Sequence, residues 1–190
     1  HVTGGTLSFW QPRINAIIRF EAAWFWDEPV FIPQENVPLL YGVMESGTIP
    51  KKDILRYSLG LDYKAWIRPV NSRQMFFFSV QYFGQWIPDY DDRQRQPLPE
   101  PPAGADFADI EEYEQALTLI VNTTYRNGTI LPQVAVAYDP RGVWFVQPQV
   151  NFIHEPLRFM VQYSMISGQF TNYGFFRDRD QVTFILSVLF

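Results

Sequence analysis

The feature that most constrains the fold of this chain is an alternation of apolar and polar residues with a period of two. Between positions 54 and 68, one set of alternate residues is apolar or aromatic throughout, and the other set carries four charges. A helix would mix the two sets around its circumference. An extended strand separates them, because successive side chains point to opposite faces. The segment therefore predicts a β-strand with one apolar and one polar face.

The same alternation recurs along most of the chain. It is found in the segments 15–26, 74–87, 115–126, 129–138, 143–153 and 157–166, and in the last ten residues, 181–190. A partial strand is also expected before Gln11. Most of these segments have about 10 to 12 residues, the length that a tilted strand needs to cross a bilayer, whereas soluble strands average about 5 or 6. The pattern predicts eight strands and part of another.

Short and long connections alternate between these strands. The short ones are the turns at 69–72, 127–128 and 155–156, and Asn127-Gly128 is typical of a type I′ hairpin. The long ones lie near 27–53, 88–114 and 167–179, and Asp139–Gly142 is a short connection among them. Short turns at one end and long loops at the other are typical of outer-membrane barrels. We therefore predict one region over 1–190, an antiparallel up-and-down transmembrane β-barrel with three long extracellular loops.

The apolar faces indicate which side would meet lipid. Aromatic residues make up 17% of the chain, and eight faces of this size would overfill the interior of a small barrel. Aromatic rings also recur near strand ends, where they suit membrane interfaces. The residues chosen for that role are Trp24, Trp26, Trp86, Tyr138 and Trp144. A soluble β-sandwich, which would bury the apolar face, is the alternative fold.

The opposite faces supply the candidate lumen-lining residues. These are Arg19, Glu21, Arg56, Asp62, Lys64, Arg68, Gln81, Gln85, Asn122, Gln147, Gln149, Asn151 and Gln162. The charged members could guide a polar solute or head group. They could also brace the wall by pairing, Arg19 with Glu21 or Asp62 with Lys64, because buried charges need partners. The amides indicate a hydrated interior.

Composition argues against several other functions. The net charge is −5, only three of the 15 basic residues are Lys, and no basic run occurs, so nucleic-acid binding has little support. Cysteine is absent, and His1 and His154 are the two histidines. No nucleophile–base pair or metal-ligand set is apparent, so we expect no enzyme activity, cofactor or metal site. The acidic segment 88–114 lacks calcium-loop spacing and is interpreted as a solvated loop.

The two ends of the sequence carry further expectations. The chain starts in mid-pattern, so we expect it to be the C-terminal part of a longer polypeptide. It stops at Phe190, at the end of an alternating strand. A terminal Phe of this kind looks like the signal that the barrel-assembly machinery reads.

Several short passages resemble a bacterial family. They are Ile18–Glu21, Lys52–Tyr57 with Gly60–Asp62, Trp66–Arg68 with Asn71, Phe76–Phe83 with Trp86-Ile87, and Arg177–Val182. In this order they are similar to the family called "domain of unknown function 1302". The resemblance implies the C-terminal part of a Gram-negative outer-membrane barrel. It also implies traffic of lipid or hydrophobic molecules, beside a periplasmic partner and inner-membrane transporters of the resistance-nodulation-division class.

Three functions are then open. The first is an outer-membrane conduit, with lipid-like or hydrophobic cargo favoured by the resemblance alone. The second is a porin-like diffusion channel for small polar solutes, which the amide lining favours. The third is a structural or adhesive barrel whose long loops bind a partner. In each case the expected surroundings are outer-membrane lipid and lipopolysaccharide.

Overall fold

The computed structural model describes residues 1–30, 51–90, 111–169, 174 and 176–188 as a single antiparallel sheet. The nine described strands are β1 (Val2–Gln11), β2 (Ala16–Pro29), β3 (Lys51–Ala65), β4 (Phe76–Trp86), β5 (Tyr113–Asn122), β6 (Ile130–Asp139), β7 (Val143–His154), β8 (Leu157–Gly168) and β9 (Gln181–Val188). Each strand pairs with the next one in the chain. The predicted antiparallel, up-and-down arrangement is confirmed. Within the described residues, β1 and β9 each pair on one side alone, so the sheet is open.

The predicted count of eight strands and a fragment was too low. β1 is a complete strand of 10 residues, which pairs with β2 from Val2 opposite Phe25 to Gln11 opposite Ala16. The alternation in β1 is weak, because small residues occupy positions where other strands carry bulky ones. The sequence pattern therefore predicted only part of this strand. Gly4 has a structural reason: a Cβ atom there would lie 2.7 Å from the carbonyl oxygen of Ala22.

The end of β3 differs from the prediction. The strand stops at Ala65 and Arg68 lies in the following turn, which is closed by a hydrogen bond from the Val70 amide to the Ile67 carbonyl at 2.9 Å. Pro69 has no amide proton to donate to a ladder, so the strand does not continue through it. Arg68 was therefore wrongly placed on the strand.

A buried asparagine links the β3–β4 turn to the end of β5. Asn71 is 4% exposed. Its amide donates to Thr123 Oγ1 at 3.0 Å and to the Thr124 carbonyl at 2.9 Å. Its Oδ1 accepts hydrogen bonds from the amides of Arg73 and Gln74, both at 3.1 Å. The Thr123 hydroxyl and Thr124 carbonyl thus bind a neighbouring turn.

The fifth strand consequently ends at Asn122, short of the predicted Arg126. The hairpin beyond it turns at Asn127 (φ 55°) and Gly128 (φ 89°). Both have the positive φ that a type I′ turn requires, and the Thr129 amide donates to the Arg126 carbonyl at 3.2 Å. A tight turn at Asn127-Gly128 is confirmed, but Arg126 also has a positive φ of 49° and the closing pair is Tyr125 with Ile130, so the hairpin loop has four residues and not two.

The strand register sorts the residues into two continuous faces. One row of directly opposed residues crosses eight strands and is apolar throughout. It consists of Phe9, Ile18, Leu61, Val80, Leu119, Val136, Val146 and Met165. The residues at alternate positions form the other face, here called the polar face. Because side chains alternate across a strand, this register keeps the two sets on opposite sides of the whole sheet.

The apolar face is not covered by another layer within the described residues. Leu59 is 51% exposed, Phe184 is 65% exposed and Leu186 is 69% exposed. The buried hydrophobic residues of the described ranges are few; Val30, Ile54 and Ile87 form a small buried cluster, against which the partly buried Phe25 and Tyr90 pack. The described chain thus buries little apolar surface within itself. No helix among the described residues is long and apolar enough to span a membrane.

Candidate functional site

The polar face gathers nearly all of the residues chosen as lumen candidates. The register places Arg19, Glu21, Arg56, Asp62, Lys64, Gln81, Gln85, Asn122, Gln147, Gln149, Asn151 and Gln162 on this one side of the sheet. Arg68 is the exception, because it follows the end of β3. Whether this face lines a lumen stays a prediction.

The first cluster on the polar face centres on Arg19 of β2. Its Nη2 atom lies 3.0 Å from Asp62 Oδ1 and 3.4 Å from Ser79 Oγ. The Ser79 hydroxyl donates to the same Asp62 oxygen at 2.7 Å, and Gln81 donates to Ser79 Oγ at 3.5 Å. Gly60 lies opposite Arg19 and leaves room for the guanidinium, since a Cβ atom there would lie 3.3 Å from Arg19 Nε. Three adjacent strands are thereby tied together.

This cluster replaces the ion pairs expected from the sequence. Arg19 pairs with Asp62 on the neighbouring strand, not with Glu21, and Asp62 does not pair with Lys64. Arg19 lies opposite Gly60, so Asp62 is its diagonal neighbour on β3, a position within reach of a long side chain. The pairing is therefore set by strand register, which single-strand patterns do not show.

The second cluster centres on Arg56 of β3. Its Nη2 and Nη1 atoms donate to the two carboxylate oxygens of Glu28 at 2.7 and 3.1 Å, and its Nε donates to Gln85 Oε1 at 2.8 Å. The guanidinium carbon also lies 4.6 Å from the centre of the Phe25 ring. Gln85 in turn donates to Glu114 Oε2 at 3.4 Å. A bidentate ion pair with a ring beneath it fixes Arg56 in place.

Glu28 reaches this cluster through an irregularity in β2. The register shifts by one residue between Phe25 and Glu28, and Asp27 has a positive φ of 51°. Simple alternation would put Glu28 on the apolar face. The extra residue of a β-bulge turns it to the polar face, where it meets Arg56.

A third ion pair lies in the β6–β7 turn. Arg141 Nη2 is 2.7 Å from Asp139 Oδ2, and the Asp139 side chain is 2% exposed. Burial by itself would lower the pKa of Arg141, but hydrogen bonding to Asp139 and the nearby carboxylates of Glu114 and Glu111 raise it above its ordinary value. Arg141 is therefore a permanent cation at this end of the sheet.

The remaining part of the polar face, on β7 and β8, carries mostly amides and hydroxyls. Gln147 donates to Ser164 Oγ at 3.0 Å, and Gln162 donates to the same oxygen at 3.3 Å. Asn151 Oδ1 accepts two hydrogen bonds from Arg158, at 3.0 and 3.2 Å. Neutral polar groups dominate here.

A cavity opens on the polar face beside the second and third clusters. Its volume is about 640 Å³, and it is bordered by β1 to β5 and by the β6–β7 turn. Its charged lining residues are Glu21, Arg56, Glu114 and Arg141. Since β1 and the β6–β7 turn border one cavity, the sheet curves around the polar face.

Glu114, Arg141 and Glu28 belong to this site although the sequence pattern did not predict them there. Glu114 keeps the alternation of Thr118 and Asn122, so extending β5 towards its start would have found it. The other two depend on a tight turn and on a bulge, and the alternation carries no signal for either.

The five aromatic residues proposed for an interface lie at one end of the sheet, the end at which β2, β4 and β6 stop. The ring centres are 5.6 Å apart for Trp24 and Trp26, and 4.3 Å apart for Tyr138 and Trp144. Trp86 stacks on Tyr113 at 6.1 Å. The opposite end carries phenylalanine pairs instead, including Phe76 with Phe78 and Phe152 with Phe159.

Some predictions concern residues outside those that the structure describes. Phe190, most of the predicted loops 27–53 and 88–114, and positions 170–173 and 175 of the predicted loop 167–179 lie outside the described residues. Within the described ranges, no group of three or more His, Cys, Asp or Glu residues is placed to hold a metal ion.

Comparison with known proteins gave no relative. No protein-family model matches the chain, and neither the curated proteins nor the solved structures contain a match. The resemblance to the "domain of unknown function 1302" family therefore stays a prediction.

Proposed function

We propose that this chain forms part of the wall of a bacterial outer-membrane β-barrel, and that its polar face lines a conduit through that barrel. The observation that carries the proposal is the register. It keeps an unbroken apolar face on one side of nine strands, while ion pairs, amides and a cavity occupy the other.

The exposed apolar face supports a lipid setting over a watery one. Contiguous apolar patches of more than a few hundred Å² are rare on soluble monomers. Here the exposed residues include aromatic and aliphatic side chains on every strand from β1 to β9. Lipid would cover such a face without a second protein layer, whereas a β-sandwich would need another sheet packed against it.

The two unpaired edges support closure by further strands. In a lipid setting every backbone amide needs a partner, so the edges of β1 and β9 require pairing. In an up-and-down sheet of nine strands, β1 and β9 run in the same direction. An all-antiparallel barrel therefore needs an odd number of additional strands between them, which gives the even total usual for single-chain barrels.

Two kinds of cargo have support. The family resemblance favours lipid-like or hydrophobic molecules, and this is the leading proposal. The amides of β7 and β8, hydrogen-bonded through Ser164, favour a water-filled channel for small polar solutes as the second candidate.

The test is single-channel conductance of the purified full-length protein, including the strands that close the barrel, in a planar bilayer, with Arg56→Gln compared with Arg68→Gln. Arg56 lines the cavity on the polar face, whereas Arg68 lies in a turn beyond β3. The two substitutions remove the same charge from the same type of residue. For a water-filled conduit we expect Arg56→Gln to shift ion selectivity towards cations, and Arg68→Gln to leave it within error of the unchanged protein.

Three outcomes are informative. A selectivity shift confined to Arg56→Gln supports a conduit lined by the polar face, with small polar solutes as cargo. Insertion without current supports the hydrophobic-cargo form if the protein moves a fluorescent phospholipid between vesicles. Failure to insert, or insertion with neither current nor lipid movement, contradicts the proposal.

A further inference from the structure

We propose that the cavity on the polar face binds an organic cation, a compact apolar body that carries an ammonium group. This inference names a class of cargo and so rests on the proposed function for its setting. Binding itself is a property of the cavity.

The size and lining of the cavity suit a small organic molecule. Its volume of about 640 Å³ lies within the range of roughly 300 to 1,000 Å³ that is common for small-molecule sites. Phe25, Phe83 and Ala116 supply apolar side chains to the lining. Gly4 and Gly5 of β1 line it with backbone atoms alone, which leaves room for a ligand. Phe83 is 39% exposed, so its ring offers an open aromatic surface.

The charges around the cavity select for a cation. Arg56 is neutralised by the bidentate contact with Glu28, and Arg141 by its contact with Asp139. Together with Glu21 and Glu114, this makes four carboxylates against two guanidinium groups, a net charge of −2. A cation would reduce this excess, whereas an anion would add to it.

The two carboxylates without an arginine of their own differ in their bonding. The Glu21 side chain has no hydrogen bond or ion pair within the described ranges, and the Glu114 side chain accepts one long hydrogen bond, from Gln85 at 3.4 Å. Both therefore keep acceptor capacity for an ammonium group, which donates three hydrogen bonds.

Their positions frame the apolar part of the cavity. Glu21 lies opposite Ser58, Ser58 lies opposite Phe83, and Phe83 lies opposite Ala116. Glu114 is two residues from Ala116 on β5, on the same face. The apolar part of a ligand that contacts Phe83 and Ala116 would thus have Glu21 on one side and Glu114 on the other. The Phe83 ring would also attract a cation, because the face of an aromatic ring is electrostatically negative.

The experiment compares two probes with the same apolar cage and opposite charge, adamantan-1-amine and adamantane-1-carboxylate. Binding is measured by titration calorimetry on the full chain in a non-ionic detergent, with the heat of mixing into empty micelles subtracted. We expect the amine to bind at least tenfold more tightly than the carboxylate. Glu21→Gln and Glu114→Gln should each weaken amine binding about three- to tenfold, since a partly exposed ion pair contributes on the order of 1 kcal/mol.

The control variant is Glu155→Gln, which removes a carboxylate at the β7–β8 turn, away from the cavity. It should bind the amine as the unchanged protein does. The proposal would be overturned if the two probes bound equally well, or if the carboxylate bound more tightly than the amine. It would also be overturned if Glu21→Gln, Glu114→Gln and Glu155→Gln weakened amine binding equally. Far-UV circular dichroism shows that each variant is folded, and a variant that is not folded is replaced by Ala116→Phe, which fills the cavity and should abolish amine binding.

This test separates the inference from the proposed function. Binding is read in detergent and does not require a closed or conducting barrel. Amine binding without conductance or lipid movement would support the cavity and reject the conduit. Conductance without selective amine binding would support the conduit and reject the proposed cation site.

Discussion

The polar face has two parts that differ in chemistry. The charged part, on β2 to β4, holds the Arg19–Asp62 and Arg56–Glu28 ion pairs. The amide part, on β7 and β8, is dominated by neutral groups, and Gln147 and Gln162 share the Ser164 hydroxyl. Both parts belong to one sheet, face the same side and alternate with the same apolar pattern. The difference between ion pairs in one part and neutral amides in the other is therefore not required for strand formation, and we attribute it to different roles of the two parts.

The arginines of the charged part have matched partners, whereas the Glu21 side chain on β2 has none within the described residues. Arg19 and Arg56 each pair with a carboxylate on the neighbouring strand, and removing one partner leaves the other charge partly desolvated. The amide part has no such penalty, because water can replace a neutral hydrogen bond at little cost. The comparison indicates that the charged part fixes strand positions and the local field, whereas the amide part offers a surface that water can wet.

The largest expected effect comes from Asp62→Ala. This substitution removes the acceptor of both Arg19 and Ser79, and Ser79 is 5% exposed. We expect the free energy of unfolding to fall by about 2 to 3 kcal/mol, because a charged group and a buried hydroxyl both lose a partner. Reversible urea unfolding in detergent or lipid, followed by tryptophan fluorescence, measures this.

The control for this effect is the double variant with Arg19→Ala. Removing both partners should recover part of the loss, since no unpaired charge then remains. If the single and double variants lose the same stability, the pair does not act as a unit, and the contrast between the charged and amide parts disappears.

The two faces of the sheet could be predicted from the sequence for a simple reason. Alternation with a period of two is a local property of an extended chain, and every strand repeats it. The apolar row from Phe9 to Met165 follows directly, once neighbouring strands pair in order. The Asn127-Gly128 turn was equally local, because glycine and asparagine tolerate the positive φ of a type I′ turn.

The contacts between strands could not be predicted in the same way. Arg19 meets Asp62 because of the register between β2 and β3, which depends on the connections. Glu28 reaches Arg56 because one extra residue shifts the phase of β2. Asn71 looked like an ordinary turn residue, although it binds the end of β5. Each of these depends on a partner more than 25 residues away in the chain.

A smaller effect is expected from Glu28→Ala in the second cluster. Arg56 would lose its bidentate partner but keep its hydrogen bond to Gln85 and its contact with Phe25. Because the Arg56 side chain is 42% exposed, water can compensate, and we expect a loss of about 1 kcal/mol. Thermal unfolding in detergent at low and high salt measures it. A loss as large as that of Asp62→Ala, unaffected by salt, would contradict this reasoning.

The smallest effect is expected in the amide part, from Gln147→Ala. The side chain donates one hydrogen bond to Ser164, which Gln162 can still supply. Water replaces the lost amide on a partly exposed surface, so the free energy of unfolding should fall by no more than about 0.5 kcal/mol. The measurement is the same urea titration as for Asp62→Ala, in the same detergent. A loss above about 1.5 kcal/mol would mean that the amides brace the sheet as the ion pairs do. In that case a water-filled channel would lose the observation that supports it, because a tightly bound amide layer leaves few groups free to hydrate a passing solute.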